Sequence, residues 1–205
     1  MISDKYKCIF IHIERTGGTS IERALFGITS DKAPPIDKEI KHLTAKESLE
    51  HYGEDKWNKY FKFSIVRNPW DLVVSNFFFP WFHGPGDHID FKSWVQQLKA
   101  DSNKVISHKR TPQLKAVSIN GSISIDYIIR FETLKEQWEE VRSKLGVSYL
   151  LTNNWNHRLK KYSYLKDRKP YPYYYDDETI SIVAERFKRD IDYFGYKFGE
   201  NINKV

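Results

Sequence analysis

Two short stretches of this sequence carry basic and hydroxyl side chains in patterns that suit anion binding, and the first also contains two glycines. The first is RTGGTS at residues 15–20, which precedes an amphipathic segment. Glycines leave backbone N–H groups unobstructed and a helix N-terminus favours negative charge, so this stretch could bind a phosphate or a sulfate group. The same residues could instead form a plain tight turn in which Thr19 and Glu22 make a capping box. This stretch alone does not decide between the two.

The second stretch is RNPWDLVVS, which runs from Arg67 to Ser75. These two residues are separated by about two helical turns, so both could reach one anion near the first turns of a helix. Taken alone the signal is weak, because an arginine after a strand is more often part of a surface ion pair. The Walker A pattern, with its lysine after the glycines, is absent from both stretches.

The helices and strands that must position these residues can be predicted from the spacing of apolar residues and from capping residues. Residues 7–13 and 61–66 are apolar runs with the length of buried strands, and each leads into a helical pattern. After the second run, Asn68 is typical of a helix cap, Pro69 of the first helical position and Asp71 of an acid in the first turn.

The rest of the chain continues the alternation of strands and helices. Further predicted elements are a strand at 125–131, a helix from Thr44 to near Gly53, helices at 91–99 and 134–146, and one long closing helix at 176–195. This order predicts an α/β domain, a three-layer sandwich around a central parallel sheet. In such folds ligands bind at the carboxyl ends of the strands.

Composition restricts the class of protein further. The 205 residues fit a single domain over 1–205, and the net charge of +6 favours anionic partners. The single cysteine, Cys8, excludes an internal disulfide and is expected to pack in a strand. There is neither a secretory signal pattern nor an apolar run long enough to span a membrane, so we expect a cytoplasmic protein.

Together the two stretches resemble the signature segments of sulfotransferases that use 3′-phosphoadenosine 5′-phosphosulfate (PAPS). The resemblance is to the sulfotransferase family 2 type, which includes carbohydrate 2-O-sulfotransferases and many bacterial members. It rests on FIHIERTGGTSIE and FSIVRNPWDLVVSNFF and continues in HLTA, TPQ, RFE and DIDYFGYKF, which covers nearly the whole chain. It implies a sulfotransferase fold like that of P-loop nucleotide kinases, PAPS as donor, 3′-phosphoadenosine 5′-phosphate (PAP) as product and no metal. The implied acceptor is a hydroxyl group, with a carbohydrate as the expected class.

The resemblance also implies roles for individual residues. The 5′-phosphosulfate is expected at residues 15–20, called the glycine loop below. The 3′-phosphate is expected at the second stretch and a later basic segment, while a histidine takes the proton of the acceptor. The residues implied for the donor are Arg15, Thr16, Gly17, Gly18, Thr19, Ser20, Arg67, Ser75 and Arg158, and those implied for catalysis are Arg15 and His42.

Glu14 and Arg15 stand where the family usually has proline and lysine. Arginine keeps the positive charge that stabilises the leaving group, but it cannot give up its proton. A carboxylate beside an anionic donor is unfavourable unless it points away or pairs with a cation such as Arg15 or Arg23. We therefore interpret this pair as a functional variant.

For several of these residues the sequence also allows a purely structural role. His42 could be a solvated loop histidine and His12 a satisfied core histidine, and the aromatic clusters at 77–82 and 171–175 are expected to be mainly core. His83 and His88 could line the acceptor entrance, with loops 27–41 and 80–89 forming the acceptor pocket.

Two other functions also stay open from the residues alone. One is a P-loop-like nucleoside or small-molecule kinase, although the missing Walker lysine argues against it. The other is a nucleotide-binding or nucleic-acid-binding module that is not an enzyme, which the positive charge would suit.

Overall fold

The structure is a computed structural model, and it describes residues 1–26, 38–78, 89–100, 112–149 and 169–200. The chain forms two compact units. The first unit comprises residues 1–66 and 113–156, and the second comprises residues 67–112 and 157–205.

A mostly parallel sheet forms the centre of the first unit. Its described strands are β1 (Ile2–Ser3), β2 (Cys8–Ile11), β3 (Phe61–Val66) and β6 (Tyr127–Arg130), in the order β1-β2-β3-β6. Strands β2, β3 and β6 are parallel, whereas β1 pairs antiparallel with β2. Strands β4 (Ser118–Ile119) and β5 (Ser122–Ile123) form a separate antiparallel pair. Because β2 and β3 are parallel neighbours, they end at the same edge of the sheet.

The helices lie in both units. Those of the first unit are α1 (Gly18–Phe26), α2 (Lys38–Lys41), α3 (Ala45–Tyr52), α4 (Glu54–Lys59), α7 (Gln113–Ala116) and α8 (Leu134–Leu145). Those of the second unit are α5 (Pro69–Phe77), α6 (Phe91–Gln96), α9 (Asp177–Arg186) and α10 (Lys188–Phe194). Short 3-10 turns lie at Gln97–Ala100, Phe131–Thr133 and Tyr171–Tyr174.

The core of the first unit is built on the sheet and the helices α1 and α8. Every residue of β2 is buried, as expected for a strand of a covered parallel sheet. Phe10, Phe63 and Trp138 are among the largest buried side chains. Cys8 packs there as predicted, and burial raises the pKa of its thiol to about 12.

Local capping residues set several helix boundaries as predicted. Thr44 and Glu47 form the capping box of α3, which ends at Gly53. The side chain of Asn68 caps α5, whose first residue is a proline. Helix α8 ends at Gly146, in the left-handed conformation that glycine adopts readily.

The prediction of one long closing helix is wrong. The helix is interrupted at Phe187, whose backbone angles of φ −108° and ψ 21° separate α9 from α10. Phe187 is itself buried, so the apolar spacing continues across the break and does not reveal it. The predicted helix at 91–99 also changes form, because its last turn tightens into a 3-10 turn from Gln97.

These elements confirm a mixed α/β fold with a central, mostly parallel sheet. The three-layer arrangement and the likeness to P-loop nucleotide kinases remain predictions, as does a single domain over residues 1–205. Among the described helices, none is both long enough and apolar enough to cross a membrane.

Candidate functional site

The glycine loop is a tightly wound turn between β2 and α1. Thr16 is buried, and its hydroxyl donates a hydrogen bond of 2.8 Å to the carbonyl of Ile13. The Ser20 N–H donates to the carbonyl of Gly17, whose φ is 90°. Arg15 has a φ of 64°, a left-handed conformation that costs a non-glycine residue about 1–2 kcal/mol. Strain of this kind persists where the surrounding structure enforces it, which is common at ligand-binding turns.

The predicted Thr19–Glu22 capping box is wrong, whereas anion binding by this turn stays a prediction. Helix α1 begins at Gly18, so Thr19 lies inside the helix and is not its N-cap. The side chain of Glu22 is engaged with His12 and Lys41 instead.

Gly18 is required because the imidazole of His12 lies against it. A Cβ placed on Gly18 would lie only 2.1 Å from Cδ2 and 2.2 Å from Nε2 of His12. No side chain can occupy that space unless His12 moves. The side chain of His12, the residue directly after β2, thus requires glycine at position 18.

The carboxylate of Glu22 contacts the side chains of both His12 and Lys41. The Nδ1 of His12 is 2.8 Å from Oε1 of Glu22, a close contact that falls outside hydrogen-bonding alignment. The Nζ of Lys41 lies 2.9 Å from Oε1 and 3.0 Å from Oε2 of the same carboxylate.

The protonation states of His12 and Glu22 follow from burial and from their contacts. Burial lowers the pKa of His12 to about 4, so its ring is neutral at physiological pH. The residue is buried, as its structural alternative predicts, but its Nδ1 has no aligned hydrogen-bond partner among the described residues. Burial opposes ionisation of Glu22, but the contacts with His12 and Lys41 outweigh it and lower the pKa of this carboxyl.

His42 is held against His12 rather than in open solvent. It lies between the end of α2 and the capping box of α3, and its side chain is only 20% exposed. The centroids of the two imidazole rings are 4.5 Å apart. His42 is thus a loop histidine just before a helix cap, as its structural alternative has it, but it is less solvated than that alternative assumes.

The contacts of His42 determine which of its nitrogens can accept a proton. Its Nδ1 is 3.0 Å from the backbone carbonyl of His12, and a carbonyl can only accept, so Nδ1 carries the hydrogen. In the neutral ring Nε2 then holds the lone pair. Burial lowers the pKa of His42, which keeps the ring in this basic form at neutral pH.

Glu14 makes a contact that the sequence did not predict. Its Oε1 lies 3.6 Å from Nε2 of His42, and the side chain of Glu14 is 33% exposed. The carboxylate of this unusual residue is thus a neighbour of the nitrogen that can accept a proton.

In the second unit, Arg67 is positioned by Asp71. The carboxylate Oδ2 of Asp71 accepts from Nε of Arg67 at 2.8 Å and lies 2.7 Å from its Nη2. Both side chains are largely buried, so the guanidinium is held in place at the start of this unit. From its sequence position Asp71 is predicted only as an acid in the first turn of α5, and its spacing of four residues from Arg67 is the signal that could have revealed the pair.

Ser75 lies further along α5 and is buried. It is the seventh residue of the helix, about 9 Å along the axis from Pro69. A single phosphate bound by both residues would require the Arg67 guanidinium to extend toward the later turns of α5. Joint binding of one anion by Arg67 and Ser75 stays a prediction.

The comparisons with known proteins agree with the resemblance. The family model described as Sulfotransferase family matches residues 1–197, nearly the whole chain. The chain belongs to the sulfotransferase family. Comparison of this sulfotransferase with curated proteins and with solved structures gives no match. Family membership supports sulfuryl transfer and favours it over the kinase and nucleic-acid-binding alternatives.

The residues predicted for this sulfotransferase fall into three groups. Residues 15–20 and His42 lie in the first unit, and Arg67 and Ser75 lie in the second. The third group lies outside the described residues and comprises Arg158, His83, His88 and most of the predicted acceptor loops. In the described part of the chain, no group of three or more His, Cys, Asp or Glu residues could hold a metal ion.

The prediction that the aromatic segment at 171–175 is mainly core holds only in part. Tyr171 is buried, and its hydroxyl accepts a hydrogen bond of 2.7 Å from the N–H of Gly199. Tyr175 donates to the carbonyl of Trp70. Tyr173, by contrast, is 74% exposed and does not belong to this core.

The other aromatic cluster is described only at its start. Phe77 is half-buried and meets the rings of Phe91 and Trp94 edge-on, which agrees with a packing role. Residues 79–82 of this cluster lie outside the described residues.

Proposed function

We propose that this sulfotransferase moves the sulfuryl group of PAPS by in-line transfer to a hydroxyl acceptor, with a carbohydrate as the expected class. The acceptor oxygen forms a new S–O bond as the S–O bond to the 5′-phosphate breaks. PAP leaves with the electron pair of the broken bond, and the proton of the acceptor goes to His42. The observation that supports this proposal most directly is the 3.0 Å contact between Nδ1 of His42 and the carbonyl of His12, because it assigns the hydrogen to Nδ1 and leaves Nε2 available as the base.

The donor is proposed to bind the glycine loop through its 5′-phosphosulfate. The loop leads into α1, and the start of a helix favours an anion through its dipole and through N–H groups that have no partner within the helix. The hydroxyl of Thr16 holds the turn, because it donates to Ile13. We therefore assign the hydroxyl of Thr16 to shaping the loop, and the anion to the backbone N–H groups of residues 16–19, since the N–H of Ser20 donates to Gly17.

Arg15 is proposed to stabilise the leaving group. Negative charge accumulates on the bridging oxygen during transfer, and a fixed cation stabilises that state more than the bound donor. A guanidinium stays protonated at all relevant pH values, so Arg15 supplies charge and hydrogen bonds but does not protonate the leaving oxygen.

Arg67 and Ser75 are proposed to bind the 3′-phosphate, with Arg158 as a further contact. A guanidinium oriented by a carboxylate is well suited to an anionic oxygen, and Asp71 provides that orientation. A nucleotide without a 3′-phosphate should lose this contribution.

Calorimetry with PAP and AMP tests the donor assignment. We expect PAP to bind at least tenfold more tightly than AMP, since hydrogen bonds to charged groups contribute about 1.5–3 kcal/mol. Arg67→Lys keeps a positive charge but loses the planar fork, so it should remove most of this preference. Lys188→Ala, which removes an exposed cation of the same unit, is the matched control and should keep the preference. Equal affinities for PAP and AMP in the wild type would contradict the proposal.

A further inference from the structure

The carboxylate of Glu14 lies close to the position that an acceptor must occupy. Its Oε1 is 3.6 Å from Nε2 of His42, the nitrogen proposed to take the acceptor proton. For that transfer the acceptor oxygen must come within about 2.6–3.2 Å of Nε2. The two distances together place the reacting oxygen at most about 7 Å from the Glu14 carboxylate.

At that separation a carboxylate distinguishes acceptors by their charge. It repels an anionic substituent next to the reacting hydroxyl, and it accepts hydrogen bonds from a neighbouring hydroxyl or ammonium group. The side chain of Glu14 is only 33% exposed, so solvent screens the interaction less than it would at an open surface.

In the described part of the chain, other titratable groups near His42 include His12, Glu22 and Lys41. Lys41 and Glu22 pair with each other, so their opposite charges largely cancel at the distance of an acceptor. His12 is neutral because burial lowers its pKa to about 4. Among these groups, Glu14 is the one whose charge lies against Nε2 of His42.

We propose that Glu14 selects acceptors that carry no anionic group beside the reacting hydroxyl, namely neutral polyols and amino sugars. The proposal rests on the function proposed above, because it takes His42 as the base and a hydroxyl compound as the acceptor. Glu14 is in this account a specificity-determining residue, and uronic acids and already sulfated sugars are the acceptors that it disfavours.

A matched set of sugars tests the selection. Methyl glucoside, methyl glucosaminide and methyl glucuronide differ in charge but share the ring, and transfer of labelled sulfuryl from PAPS gives kcat/KM for each. We expect the wild type to favour the first two over the glucuronide. Glu14→Gln should reduce that preference by roughly threefold to tenfold, the size of a partly screened charge interaction.

Glu50→Gln is the control for a general change in net charge. Glu50 is an exposed residue of α3 that pairs with Lys46, so its replacement should leave the ratio between acceptors unchanged. A wild type that favours the glucuronide, or a ratio that stays the same in Glu14→Gln, would overturn the inference.

An NMR titration of His42 provides a readout that needs no acceptor. A nearby carboxylate stabilises the imidazolium, so Glu14→Gln should lower the pKa of His42 further, whereas Glu50→Gln should not. An unchanged titration in Glu14→Gln would show that the carboxylate does not act at this nitrogen and would overturn the inference. If the wild type fails to bind PAP, the proposed function is refuted instead. The titration of His42 requires neither donor nor acceptor, so it tests the effect of Glu14 separately from the proposed function.

Discussion

His12 is the residue that connects the loop to the proposed base. Its ring fills the space beside Gly18, its backbone carbonyl accepts from Nδ1 of His42, and its Nδ1 contacts Glu22. None of these contacts requires His12 to touch the donor or the acceptor. We therefore regard it as a positioning residue, whose neutral form belongs to the folded state.

This protonation state predicts a loss of stability in acid. Burial lowers the pKa of His12 from 6.5 to about 4, so between these pH values the unfolded chain binds a proton that the folded chain does not. The free energy of unfolding should therefore fall as the pH decreases from 6.5, by up to about 3 kcal/mol from this group at pH 4. Urea unfolding at several pH values measures the loss.

His12→Gln provides the comparison, because it keeps a polar side chain that does not titrate. Other groups also contribute to acid unfolding, so the informative quantity is the difference in slope between the two proteins from pH 6.5 to about 4. Identical slopes would mean that the buried ring does not resist protonation.

At the scale of elements, the connection from β2 to α1 determines the shape of the loop. The strand ends at Ile11, the helix starts at Gly18, and the turn between them includes Arg15 in a left-handed conformation. The close approach of the His12 ring to Gly18 fixes how the helix start sits against the end of the strand. A loop of this kind depends on the fit between two elements as well as on its own residues.

Gly18→Ala should therefore destabilise the first unit. The added Cβ would meet the His12 ring at 2.1 Å, and overpacking of this kind costs about 1–3 kcal/mol. In a His12→Ala background the ring is gone, so the same substitution should cost much less. Denaturant unfolding of the four proteins measures the coupling, and strictly additive effects would exclude a clash with His12 as the cause.

At the scale of the whole molecule, the sequence predicted what depends on local patterns. The strands at β2 and β3, the capping box of Thr44 and the caps of α5 and α8 each follow from neighbouring residues, and the structure confirms them. The motif pair also indicated the family, which the match over residues 1–197 shows.

The site features that the sequence did not predict depend on contacts between elements. The contact of Glu14 with His42 joins residues that are far apart in the chain, and the close approach of His12 to Gly18 depends on how a side chain packs. Neither contact can be predicted from the spacing of neighbouring residues.

Two further features were hidden for local reasons. The break at Phe187 has neither glycine nor proline to mark it, and the buried Phe187 keeps the helical spacing intact. The Arg67–Asp71 pair was visible as a spacing, but nothing in the sequence indicates that both side chains would be buried.

The most direct test of the account compares sulfuryl transfer from PAPS in the wild type and in His42→Ala, with PAP binding measured in parallel. We predict that the variant loses at least about a hundredfold in kcat, the contribution typical of a general base, and that its affinity for PAP stays within about twofold. Equal turnover in the two proteins would exclude Nε2 of His42 as the group that takes the acceptor proton.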